Sequence, residues 1–85
     1  MLMTDETTYD ELMEWFTMRR EIEFLYKGVS YAFLSVKGGF MLVRENRIVT
    51  DVYVDYMVLA HEVAIDGVLF LELFKKQEIE ITMVF

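Results

Sequence analysis

The chain has 85 residues, of which 55% are apolar, with no cysteine, no proline, and fifteen acids against eight bases for a net charge of −7. A chain this short has room for one domain and buries only about 60–65% of the surface its unfolded form exposes, so it needs a rich core. The composition excludes disulfide frameworks, thiol nucleophiles and thiolate metal sites, and the charge repels phosphate backbones and anionic lipid, so direct nucleic-acid binding is not expected.

Thr8-Tyr9-Asp10-Glu11 has the form of a capping box and predicts the start of a helix. Tyr9, Leu12, Met13 and Phe16 then follow at helical spacing on one face, with Asp10, Glu11 and Glu14 off that face at the positive end of the helix dipole and Arg19 and Arg20 at the negative end. From Glu21 the period changes to two. Ile22, Phe24 and Tyr26 alternate with Glu21, Glu23 and Leu25 up to a Lys27-Gly28 turn. A second strand over Val29–Val36, a Lys37-Gly38-Gly39 turn and a third strand over 40–45 complete a meander of hairpins, and Asn46-Arg47 leads into a β-branched segment, 48–54, that reads as a fourth strand. Asp55 is placed to cap a second helix running to about Val63. Asp66-Gly67 breaks the pattern before a third helix over 68–76, and 78–85 alternates as a last strand.

The expected architecture is therefore α+β: an N-terminal helix, an antiparallel β-meander, two helices and a C-terminal strand in a single small domain, 1–85. The meander carries apolar residues on both phases, Tyr31 and Phe33 against Ala32, Leu34 and Val36, and Phe40 and Leu42 against Met41 and Val43. One layer of helices covers only one face of a sheet, so either helices lie on both faces or the second face meets another subunit. The apolar share exceeds the roughly 45–50% usual for globular domains and points the same way, toward a homodimer or larger assembly.

No stretch approaches the roughly twenty apolar residues that span a bilayer, and the acidic N-terminal segment lacks the basic region of a signal peptide, so no membrane association and a cytoplasmic location are expected.

Candidate chemistry is sparse. His61-Glu62 pairs an imidazole with a carboxylate in sequence, but helix neighbours point about 100° apart, and one histidine without further ligands is a poor metal site. Ser30 and Ser35 lie in predicted strands with no base beside them. Gly38-Gly39 lacks the helix and the Lys-Ser/Thr of a phosphate loop and reads as a turn. Glu21 and Glu23 share a strand face about 7 Å apart, a spacing tolerable for a glycosidase pair but more simply a solvated strand face. No catalytic residue, metal or cofactor is expected. The partner-binding candidates are Trp15 with Arg19, residue types that dominate binding hot spots, and the acids Asp10, Glu11 and Glu14, which could imitate a row of phosphates. The candidates for an oligomer interface are Tyr56, Met57, Leu59 and Val63 of the second helix.

The strings TYDELMEWFTMRREIEFLYKGVSY and IDGVLFLEL resemble a group of small uncharacterised proteins common in Firmicutes and their mobile elements, with the patterns T-Y-x-E-x-x-x-W, E-I-E-F-x-Y-x-G-x-x-Y and I-D-G-x-x-L. Tyr9, Trp15, Glu21, Ile22, Phe24, Tyr26, Gly28 and Tyr31 carry the first part, and Ile65, Asp66, Gly67 and Phe70 or Leu71 the second. The resemblance implies a helix feeding a hairpin and brings no active site. The chain departs from it at Tyr56, Met57, Val58, Leu59 and Ala60, an apolar run where alternating polar residues are expected, and this departure favours an oligomer.

Two functional expectations follow. The first is a small acidic non-enzymatic interaction protein of phage or mobile-element origin, assembled with itself and binding a protein partner. The second is an anti-defence inhibitor of the anti-CRISPR type whose acidic face mimics nucleic acid. An oligomer that sequesters a small ligand between subunits is a further alternative.

Overall fold

A computed structural model describes residues 7–85; Asp5 and Glu6, which extend the acidic N-terminal cluster in the sequence, lie outside them. The Thr8 hydroxyl accepts the Glu11 N–H at 3.2 Å while Glu11 Oε1 accepts the Thr8 N–H at 3.0 Å, so the expected capping box opens helix α1 (Tyr9–Thr17). The helix closes in a Schellman arrangement. Arg19 N–H donates to the Phe16 carbonyl and Arg20 N–H to the Trp15 carbonyl, with Arg19 in the left-handed region at φ 57°.

Strands β1 (Ile22–Tyr26), β2 (Val29–Val36) and β3 (Gly39–Arg44) form the meander. With the two-residue β4 (Arg47–Ile48) and the C-terminal β7 (Glu80–Val84) they make one antiparallel sheet in the order β4-β3-β2-β1-β7. Between β4 and β7 run α2 (Tyr56–Glu62), the paired β5 (Ala64–Ile65) and β6 (Val68–Leu69), and α3 (Phe70–Lys75). Asp55 caps α2 as expected, its side chain accepting the Met57 N–H at 2.8 Å.

Two elements differ from the sequence expectation. The segment 48–54 forms only a short strand because the Thr50 hydroxyl takes the Leu42 N–H at 3.0 Å, in place of a backbone carbonyl, and the chain rejoins β3 only at the Phe40–Tyr53 bridge. The third helix begins at Phe70 rather than Val68, because Asp66 and Gly67 at φ 53° and 81° make a tight turn that pairs the residues on either side.

The core lies between the sheet and the helices. Phe16 of α1 meets Phe33 and Phe40 edge-on at 5.2 and 6.0 Å between centroids, and Phe70 of α3 meets Phe33 at 4.9 Å and Phe24 at 5.2 Å. Leu59, Ala60 and Val63 of the α2 region complete it. All three helices thus send their apolar residues to the same side of the sheet, that of Ile22, Phe24, Tyr31, Phe33, Phe40 and Leu42.

Candidate functional site

Because side chains alternate along a strand, the register that sends Phe24, Phe33 and Leu42 inward sends Leu25, Ala32, Leu34, Val36, Met41 and Val43 outward. Leu34 and Met41 are direct cross-strand partners there, as are Ala32 and Val43. Ala32 and Val43 are buried at 9% and 7% exposure yet stand apart from the core cluster, and Leu25, Leu34, Val36 and Met41 are half-buried and not among the residues packed against it. Met83 and Ile48 extend this face to either side at 49% and 70% exposure. Glu23 is the acid nearest its centre, on β1 opposite Ala32. Of the two arrangements the sequence allowed, the described helices all lie on one face, and none of them covers the apolar second face.

The free edge beside this face is interrupted. On β7, Ile81 pairs with Phe24 and Met83 with Glu23, which leaves Thr82 as an extra residue whose hydroxyl donates to the Glu23 carbonyl at 3.2 Å. Such a bulge twists an edge strand out of register with any incoming strand.

A second feature lies on the helix side, at the end of the sheet near the β3–β4 turn. A cleft of about 710 Å³ opens between that hairpin and the β5–β6 hairpin, lined by Tyr31, Arg44, Arg47, Val49, Ile65 and Asp66 among others. Arg44 and Arg47 are directly opposed across the ladder, and Tyr31 is the partner of Arg44 on the next strand. Burial raises the Tyr31 phenol above its ordinary pKa, opposed by Arg44 and reinforced by Asp66, Tyr26 and Glu45, so the group is a neutral donor at physiological pH.

The residues singled out from the sequence fall as follows. Trp15 is half-buried against the core, and Arg19 is turned away from it: its guanidinium donates to the Val36 carbonyl at 3.0 Å and the Gly39 carbonyl at 3.4 Å and sits 4.8 Å from the Phe40 ring centroid. The two do not form an exposed pair; Arg19 ties the end of α1 to the β2–β3 turn. Asp10 and Glu14 are exposed on α1, whereas Glu11 is engaged in the cap. In α2, Leu59 and Val63 belong to the subunit's own core at 0% and 5% exposure, and Tyr56 stacks on Phe16 and shares a 2.9 Å hydrogen bond with Thr17. Leu59 and Val63 are therefore not exposed to a second copy, because the helix's apolar run is what packs it on the sheet, while Tyr56 is half-buried. Only Met57, with its neighbour Val58, keeps substantial exposure. His61 is exposed, its Nδ1 2.7 Å from the Met57 carbonyl and its ring edge-on to Tyr9.

Sequence reasoning passed over Arg44 and Arg47. The signal was available: two arginines flanking a Glu45-Asn46 pair, both of which adopt positive φ, at 49° and 68°, mark a two-residue hairpin and hence a facing pair.

No protein-family model, curated protein or solved structure matches the chain. Among the described residues, no helix is long and apolar enough to cross a membrane.

Proposed function

We propose that the chain is a non-enzymatic interaction protein that assembles with a second copy of itself through the outer face of its sheet. The observation that carries this reading is the apolar row Leu25, Ala32, Leu34, Val36, Met41 and Val43, which none of the three helices covers. Four strands at about 4.8 Å spacing and about 18 Å length give this face a footprint on the order of 350 Å², within the size range at which an apolar patch on a small protein is often functional. The β2–β3 centre of the face carries no charge and Glu23 lies beside it on β1, so two copies can meet at that centre with the Glu23 carboxylates kept at the wet rim of the contact. The bulge at Thr82 works against edge pairing and leaves the face as the route to assembly.

The footprint falls at the small end for protein interfaces, where complexes are transient. The dimer should therefore form and dissociate across roughly 1–100 µM, a range in which the association free energy is about 5–8 kcal/mol. Light scattering over that range should show the mass rise from one subunit toward two. Leu34→Asp and Met41→Asp should hold the protein at one subunit while its circular dichroism stays that of the parent, because both side chains already meet solvent in the lone subunit. A parent that stays monomeric throughout, or folded variants that associate as the parent does, would remove the reading.

A further inference from the structure

Arg44 and Arg47 stand directly opposite one another on the β3–β4 ladder. Like charges so placed destabilise a hairpin, and among the described residues neither guanidinium lies within ion-pair distance of a carboxylate, the pair at that distance being Lys76 with Glu72; Glu45 and Asp66 line the same cleft without closing such a pair. This is conspicuous in a chain with fifteen acids. Tyr31, next in the same row, is 5% exposed as a residue, and its hydroxyl, which makes no hydrogen bond among the described residues, is not among the buried atoms and lies where the residue lines the cleft. Arg44, Arg47 and Tyr31 thus line one cavity, and among the described residues none of their side chains makes a hydrogen bond or ion pair. Val49, 46% exposed, and Ile65 give the cavity an apolar wall, and Asp66 and Glu45 line it beside the arginines.

We propose that this cleft binds a small phosphate monoester, its phosphate held by Arg44, Arg47 and the Tyr31 hydroxyl and its organic part resting on Val49 and Ile65. Guanidinium groups match the oxygens of a phosphate in bidentate fashion, and such charge-assisted bonds are roughly twice as strong as neutral ones. A dianion between the two arginines converts a repulsion into two attractions, which a neutral ligand cannot do. Asp66 and Glu45 disfavour a second phosphate beside the first and can accept hydrogen bonds from hydroxyl or amino groups on the organic part. The net charge of −7 opposes a polyanion at long range, so a free ester fits better than a nucleic-acid strand. The cleft lies on the helix side of the sheet, and its occupation is independent of assembly through the outer face.

Titration calorimetry with 5′-AMP, inorganic phosphate, adenosine and a 5′-phosphorylated oligonucleotide tests this. AMP should bind saturably, inorganic phosphate more weakly and adenosine at least about tenfold more weakly, as loss of charge-assisted bonds requires. The oligonucleotide should bind less tightly than AMP. Arg44→Gln and Arg47→Gln should each weaken AMP by about tenfold or more and Tyr31→Phe by several-fold, while Lys76→Gln leaves it unchanged. The two arginine variants should fold at least as well as the parent, since each relieves the like-charge contact. Failure of the folded parent to bind either AMP or inorganic phosphate saturably, or AMP binding that survives Arg47→Gln undiminished, overturns the site. An oligonucleotide that binds more tightly than AMP overturns the assignment to a small ester.

Discussion

Gly39 shows how one backbone position fixes the turn of the meander. Its φ of 151° is a conformation that side-chain-bearing residues rarely adopt, and a Cβ there would fall on the Tyr53 carbonyl oxygen, well inside contact distance. That carbonyl accepts the Phe40 N–H at 2.8 Å, and Tyr53 N–H returns a bond to the Phe40 carbonyl at 2.7 Å. Gly39→Ala must therefore both strain the backbone and push Tyr53 off the sheet, and it should cost on the order of 3 kcal/mol in a urea titration. Tyr31 supplies a pH signature at the same scale. Its folded pKa is raised by burial above the unfolded value, so its contribution is fully present below about pH 10 and is lost as pH rises through the folded value. As pH rises above about 10 the parent should lose more stability than Tyr31→Phe, since the difference between the two proteins isolates this phenol. Equal losses in the two proteins would mean that Tyr31 ionises as freely in the fold as in the unfolded chain.

Among the elements, α1 leans on its cap, because nine residues form a marginal helix without tertiary support. Thr8→Ala removes the hydroxyl from the Glu11 N–H and should cost about 1 kcal/mol, or about 4–8 °C in Tm for a domain of this size. Asp10→Asn and Glu14→Gln, which touch nothing in the cap, should cost a few tenths of a kcal/mol. The helix and the meander were legible because their signals are local: the capping box, the change of period at Glu21, and glycine turns at Gly28 and Gly38. The β5–β6 hairpin and the irregular course of 48–54 were less so. In the first, an Asp-Gly turn between two-residue strands gives too short a run for periodicity to register. In the second, the deciding event is a side-chain hydroxyl, that of Thr50, replacing a backbone acceptor across the sheet. The candidate site was half legible. Apolar residues on both strand phases pointed to an uncovered face, but the same apolar run in α2 was spent on the subunit's own core, and composition alone cannot tell the inward half of such a surplus from the outward half.

At the scale of the whole molecule, the arrangement of edges and faces decides whether assembly stops or continues. The proposed contact through the outer face is two-fold and would close on itself as a dimer. The β7 edge could offer a second two-fold contact, strand against strand, and a subunit with two such contacts builds an open chain rather than a closed pair. Thr82 stands against this. As the extra residue between Ile81 and Met83 it breaks the ladder beside Glu23 and Phe24, so an incoming strand finds no continuous row of donors and acceptors. Deleting Thr82 should straighten β7 while leaving Ile81, Met83 and Val84 on their present faces, since Ile81 and Met83 already pair with adjacent residues of β1. The deletion variant should then pass from discrete dimers to growing assemblies at tens of micromolar, roughly the range in which the face contact itself forms. In a Leu34→Asp background, with the face contact removed, the same deletion should give closed edge-paired dimers and no larger species. Size-exclusion chromatography with light scattering distinguishes these outcomes. Discrete dimers from the deletion alone would show that the bulge is not what guards the edge, and growing assemblies in the Leu34→Asp background would show that the outer face is not the second contact.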